Sequence, residues 1–155
     1  MTDGTNSVTQ RRKSIGDIAV DGLLAGMGAG VVMGIFLVII GWITGTGPGE
    51  MLSRFDPANN GAPVMGGLLH LAISGIYGAA FAIAWRLLAA RWLALDRAIL
   101  PVGAAYGMIL WVVANLILLP GMSSNLSLIA PLQFAIAHLL YGLVLGYLLG
   151  RHQSV

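Results

Sequence analysis

Cysteine is absent from the 155 residues, which excludes disulfides, thiolate metal sites, a cysteine nucleophile and a lipobox-type anchor. Charge is scarce as well. Six acidic and eight basic side chains make up 9% of a chain that is 57% hydrophobic, too few to cover a soluble globule. The formal net charge of +2 is too small and too dispersed for a nucleic-acid partner. Enzymatic signatures are also missing: there is no H-E-x-x-H, no G-x-S-x-G, no Walker loop and no pair of intramembrane carboxylates. These absences predict a protein that is not an enzyme and carries no metal or resident cofactor.

Long apolar runs, by contrast, fill the chain. Residues 19–43, 62–85, 99–119 and 126–150 are each near the roughly 20 helical residues that cross a hydrocarbon core of about 30 Å. Lipid is the expected solvent. The predicted fold is an all-α membrane protein with four transmembrane helices in a single domain over residues 17–150. Polar residues 1–16 are expected to form a flexible cytoplasmic tail, and residues 151–155 a short C-terminal one.

The stretch "GLLAGMGAGVVMG" resembles a phosphate-binding loop only at first sight. A dinucleotide fingerprint follows a strand and has G-x-G-x-x-G spacing, whereas this run sits inside an apolar segment whose one charge is Asp21. Read every fourth residue, it gives Gly22, Gly26, Gly30 and Gly34, a line of glycines down one side of a helix. Small residues at that spacing let backbones approach closely, which replaces the hydrophobic drive that lipid removes.

An internal repeat carries the same device. His70, Ser74, Gly78 and Ala82 recur every fourth position, and so do His138, Gly142, Gly146 and Gly150, at a constant offset of 68. Before them, Gly30 and Gly34 align with Gly103 and Gly107 at an offset of 73, which then sets Trp42 against Asn115. The pattern predicts two similar helical hairpins, inserted in the same orientation and packed through small-residue faces.

Basic residues set the expected orientation. Arg11, Arg12, Lys13, Arg86, Arg91, Arg97 and Arg151 flank one side of the spans and only Arg54 the other, so both termini should be cytoplasmic, with residues 44–61 and 120–125 outside. The twin arginines are not read as an export signal, because the apolar segment behind them is too long and lacks a cleavage site. Trp42, Trp85 and Trp92 fall near span ends, where aromatic belts form. Within the first outer connection, "GEMLSRF" can form a short interfacial helix, with Glu50 and Arg54 as a mild i, i+4 pair. Pro131 suits the first turn of the last helix, and Asp21 suits a first-turn site favoured by the helix dipole.

Polar residues at membrane depth are costly and usually face the bundle interior. Four qualify: His70, Ser74, His138 and Asn115, with both histidines and the asparagine in the outer half by residue count. The histidines can act as polar glue, bonding to Ser74, Asn115 or a backbone carbonyl. Alternatively, they can ligate haem b or a related tetrapyrrole. Tyr77, Tyr106, Tyr141 and Tyr147 are expected to pack or bond locally, outside any site.

The segments "GGLLHLAISGIYGAAFAIAW", "LPVGAAYGMILWVVANLILLPGM" and "FAIAHLLYGLVLGYLLG" resemble small uncharacterised four-span bacterial membrane proteins of the YagU-like type, over residues 62–150. The resemblance implies a bacterial plasma (inner) membrane location and brings no activity or site residue with it. The function expected from all this is a structural or accessory subunit that self-associates or joins a larger membrane complex, with the glycine face of the first helix offered to a partner. The competing expectations are a tetrapyrrole-binding electron carrier using His70 and His138, and a small transporter or channel.

Overall fold

The computed structural model describes residues 13–89, 98–121 and 124–153. Five α-helices account for most of them: α1 (Ile15–Ile43), α2 (Pro48–Ser53), α3 (Pro63–Ala89), α4 (Ile99–Val113) and α5 (Pro131–Gln153). The last turns of α4 widen into a π turn, Ala114–Leu118, and then tighten into a 3-10 turn, Leu119–Gly121. No strand occurs among the described residues. Four stretches, Ile15–Ile43, Pro63–Ala89, Ile99–Gly121 and Pro131–Arg151, are long and apolar enough to cross a membrane.

Helix α1 begins earlier than its apolar run. The Asp17 N–H donates to Ser14 Oγ at 3.1 Å and the Ser14 N–H to Asp17 Oδ2 at 2.9 Å, a reciprocal cap that starts the helix at Ile15. Ile15 and Gly16, expected in the N-terminal tail, are therefore helical, and residues 1–12 lie outside the described residues. Asp21 is corrected too: it sits in the second turn, where Lys13 pairs with it at 2.8 Å, and Asp17 holds the dipole-favoured place in the first. Proline opens α3 and α5, at Pro63 and Pro131, where its missing N–H costs no intrahelical bond. The "GEMLSRF" segment contributes most of α2.

The glycine line of α1 faces α3. A Cβ added at Gly22 would lie 2.6 Å from Ala82 Cβ, one at Gly26 2.8 Å from Gly78 Cα, and one at Gly30 2.6 Å from Ser74 Cβ. Such separations allow only hydrogen. On the other side, a Cβ at Gly103 would meet Gly146 Cα at 3.1 Å and one at Gly107 would meet Gly142 Cα at 3.1 Å, bringing α4 against α5. The repeat offsets carry one set of contacts onto the other: Gly30 beside Ser74 becomes Gly103 beside Gly142, and Gly34 beside His70 becomes Gly107 beside His138. The expectation that the Gly22–Gly34 face serves a partner is thereby corrected, since α3 occupies it.

Helix α1 also packs on α5, whereas α3 and α4 touch sparsely. Ala29 and Leu37 of α1 and Ala137, Tyr141 and Leu145 of α5 are fully buried in one apolar cluster. Trp85 belongs to that cluster, only 3% exposed and stacked on Phe81, because α3 runs a further turn to Ala89. It is not an interfacial belt residue. Trp42, 72% exposed at the end of α1, has the exposure that a belt position requires. Trp92, Arg91 and Arg97 lie outside the described residues.

At the end of the bundle away from the termini, Arg54 ties the connections together. It donates to Leu128 O at 3.2 Å and Thr46 Oγ1 at 3.3 Å, and pairs with Glu50 at 3.0 Å. The Asn125 N–H adds a bond to Asn59 Oδ1 at 3.1 Å. The i, i+4 pair is thus one arm of a larger clamp. Replacing Arg54 by Met should cost about 1.5–3 kcal/mol, the range for hydrogen bonds to a charged group. Amide exchange at residues 124–129 should accelerate with it, and unchanged exchange there would show that the clamp holds nothing.

Candidate functional site

Between the four long helices, at the Arg54 end, lies a cavity of about 230 Å³. Met33 of α1, His70, Ser74 and Tyr77 of α3, Ala114 and Leu118 of the π turn, and His138 and Tyr141 of α5 line it. Phe55, just after α2, covers His70 with ring centroids 4.5 Å apart. Tyr106, outside the lining, donates to Tyr77 O at 3.0 Å and packs on Phe81 at 4.9 Å.

Each histidine is held by a backbone carbonyl. His70 Nε2 donates to Gly30 O at 3.0 Å, a bond from α3 to α1. Gly34 lies beside that ring without being required by it, since a Cβ there would sit in ordinary contact, 3.6 Å from Nε2. His138 Nδ1 instead donates to Phe134 O at 2.9 Å, one turn back on its own helix, and the Phe134 ring meets it edge-on at 4.4 Å. The repeat matches the two positions but not the two ring orientations. Because a carbonyl only accepts, the bonded nitrogen in each ring carries the proton, and His70 Nδ1 and His138 Nε2 keep lone pairs. Neither of these nitrogens has a hydrogen-bond partner among the described residues.

The hydroxyl of Tyr141 is likewise committed, to Ser74 O at 2.7 Å, which joins α5 to α3. Ser74 Oγ bonds to neither ring, so no hydroxyl here is paired with a base in the manner of an activated nucleophile. Among the described residues no three His, Asp, Glu or Cys side chains are grouped to hold a metal ion. Ligation of haem through both Nε2 atoms would require His70 to release Gly30. What the arrangement offers instead is a largely apolar pocket with two ring-nitrogen acceptors in its wall, beside the hydroxyls of Ser74, Tyr77 and Ser124.

Of the residues singled out from sequence, His70, Ser74 and His138 meet at the cavity. Gly22, Gly26, Gly30, Gly78, Gly142 and Gly146 serve helix contact. Asn115 does not join them: it sits half-buried on the π turn, away from the cavity lining, with no side-chain hydrogen bond among the described residues. Sequence reasoning missed Tyr141, although its i, i+3 spacing from His138 put both on one face. Phe55 and Ala114 gave no such signal.

No protein family model, curated protein or solved structure matches this chain.

Proposed function

We propose that the chain is a non-enzymatic, multi-pass integral membrane protein that binds a small lipophilic molecule in the His70/His138 cavity. Its four spans would be inserted as two hairpins of the same orientation, with termini cytoplasmic and the Arg54 end outside. A bacterial plasma membrane, the location that the YagU-like resemblance implies, belongs to the same proposal. The observation that carries the reading is the cavity itself, a space bounded by all four spans in a fold whose helix backbones otherwise touch through glycine. The sparse contact between α3 and α4 leaves one cavity wall, made by Ile73 and Leu118, 47% and 43% exposed, facing the surroundings. In a bilayer that seam opens onto lipid, the phase in which a lipophile is concentrated.

An accessory role alongside other membrane proteins fits this reading, with contacts made by the outward apolar faces rather than by the glycine line of α1. The test is occupancy. Propylbenzene titrated into the protein in lipid nanodiscs should shift the Met33 methyl resonance to saturation, and Ala114→Phe, which fills the space, should abolish the shift. Absence of any saturable shift with one-ring apolar compounds would overturn the reading.

Orientation and pigment are checked separately. A reporter fused after Val155 should be active in the cytoplasm and one inserted near Asn60 outside, and the reverse pattern in both would refute the proposed topology. Gently purified protein should be colourless. A stoichiometric Soret band lost in both His70→Ala and His138→Ala would replace the present reading with an electron carrier.

A further inference from the structure

We infer that the molecule this cavity selects is a hydrogen-bond donor, a lipid-soluble phenol or hydroquinone-type ring, whose hydroxyl is received by the lone pair of His70 Nδ1 or of His138 Nε2. The inference rests on the binding role proposed above and adds the chemistry of the ligand.

It follows from an inventory of the polar wall. The ring N–H of His70 is spent on Gly30 O, that of His138 on Phe134 O, and the Tyr141 hydroxyl on Ser74 O. Each of these donors is satisfied by backbone, so the two rings can only accept from a guest, while the Ser74, Tyr77 and Ser124 hydroxyls of the lining can donate or accept. An ether, ketone or quinone, which only accepts, can bond those hydroxyls but leaves both ring nitrogens unpaired in an apolar space. A hydroxyl supplies the missing proton. Buried polar groups left without partners are penalised more than satisfied ones are rewarded, so the discrimination favours donors over isosteres that lack one.

Size and surface narrow the class. A dry cavity of about 150 Å³ accommodates benzene, so about 230 Å³ matches a single ring with a short substituent. The surroundings are aromatic: Phe55 lies over His70, Phe134 stands edge-on to His138, and Tyr141 is fully buried beside them. Rings pack on such walls in offset or edge-to-face geometry, which a flexible aliphatic alcohol does not exploit. No charged side chain lines the cavity, so a neutral guest is preferred to an ion.

The test compares 4-propylphenol with 1-fluoro-4-propylbenzene, nearly the same shape without the donor, on the intact chain in nanodiscs. The Met33 methyl resonance reports occupancy by either compound, and histidine ¹⁵N resonances report hydrogen bonding at the bare nitrogens. The expected result is that both compounds shift Met33, the phenol binding about three- to tenfold more tightly, the range for one neutral hydrogen bond. The phenol alone should move the unprotonated ¹⁵N resonance of one of the two rings, His70 or His138, since one hydroxyl donates once. In His138→Phe the ratio of the two affinities should fall. Equal affinity of the two compounds, or phenol binding without a ¹⁵N change, would overturn this inference and leave the binding role standing. Failure of both to move Met33 would remove the binding role itself.

Discussion

A Gly78→Leu variant should fail to accumulate as a folded bundle. A Cβ at this position would lie 2.5 Å from Gly26 Cα and collide with the carbonyl of Gly22, and both obstacles are backbone, which cannot rotate away. Helices α1 and α3 must therefore separate along their length. Inserting bulk into a packed core costs about 1–3 kcal/mol when side chains can adjust, and with backbone opposing backbone the cost should reach or exceed the top of that range. Folded proteins have only about 5–15 kcal/mol in reserve. Gly67→Ala is the control, because its Cβ would meet only Leu52 Cδ2, at 3.9 Å. It should be neutral or slightly stabilising, as alanine is the better helix former. Thermal unfolding followed by size-exclusion chromatography separates the cases, and a Gly78→Leu protein as stable as Gly67→Ala would refute the packing of α1 on α3.

Tyr141 should show the second large effect, with a revealing gap between two substitutions. Its ring is 2% exposed at the centre of the bundle, and its hydroxyl bonds Ser74 O. Tyr141→Ala removes the whole ring from a site that cannot collapse around glycine-packed helices, and should cost about 3–5 kcal/mol, as for other buried aromatics. Tyr141→Phe removes only the interhelical bond, worth about 0.6 kcal/mol on average and up to about 1.7 kcal/mol between membrane helices. Ser74 O is a helix carbonyl within α3, so the loss does not leave it without a partner. Equal losses in the two variants, measured by denaturant unfolding in mixed micelles, would mean that the hydroxyl and not the ring fixes α5 against α3.

The long helices were legible because they depend on period and length. Four-residue spacing of Gly22, Gly26 and Gly30 specifies a face but not its occupant, and the face offered to a partner is taken by Ser74, Gly78 and Ala82 of α3. The start of α1 was missed, because the apolar run drew the boundary four residues late and past the Ser14 and Asp17 cap. Depth counting set His70, His138 and Asn115 in one half of the bundle, but only the two histidines line the cavity. Depth fixes a position along the helix axis and says nothing of the direction around it, which the π turn changes in the segment that carries Asn115. Trp85 failed for a related reason: a place near the end of an apolar run is interfacial only if the helix stops there, and α3 continues. The ring orientations of the histidines were beyond sequence, since each depends on which carbonyl its neighbours leave within reach.

The π turn at Ala114–Leu118 also makes the chain unequal in its tolerance of length changes. Such a turn holds one residue more than an α turn, so the segment contains a single spare residue. Removing one amino acid there would allow ordinary α-helix, with the residues on either side keeping their directions around the axis. Leu119 would stay in the cavity wall, and the Gly103 and Gly107 contacts, lying before the turn, would stay in register. The same deletion made in α1 among Gly22–Gly34 would swing every residue beyond it by about 100° and break the helix interface itself. The end of α4 can therefore lose a residue without being unseated, a slack that no other span has among the described residues.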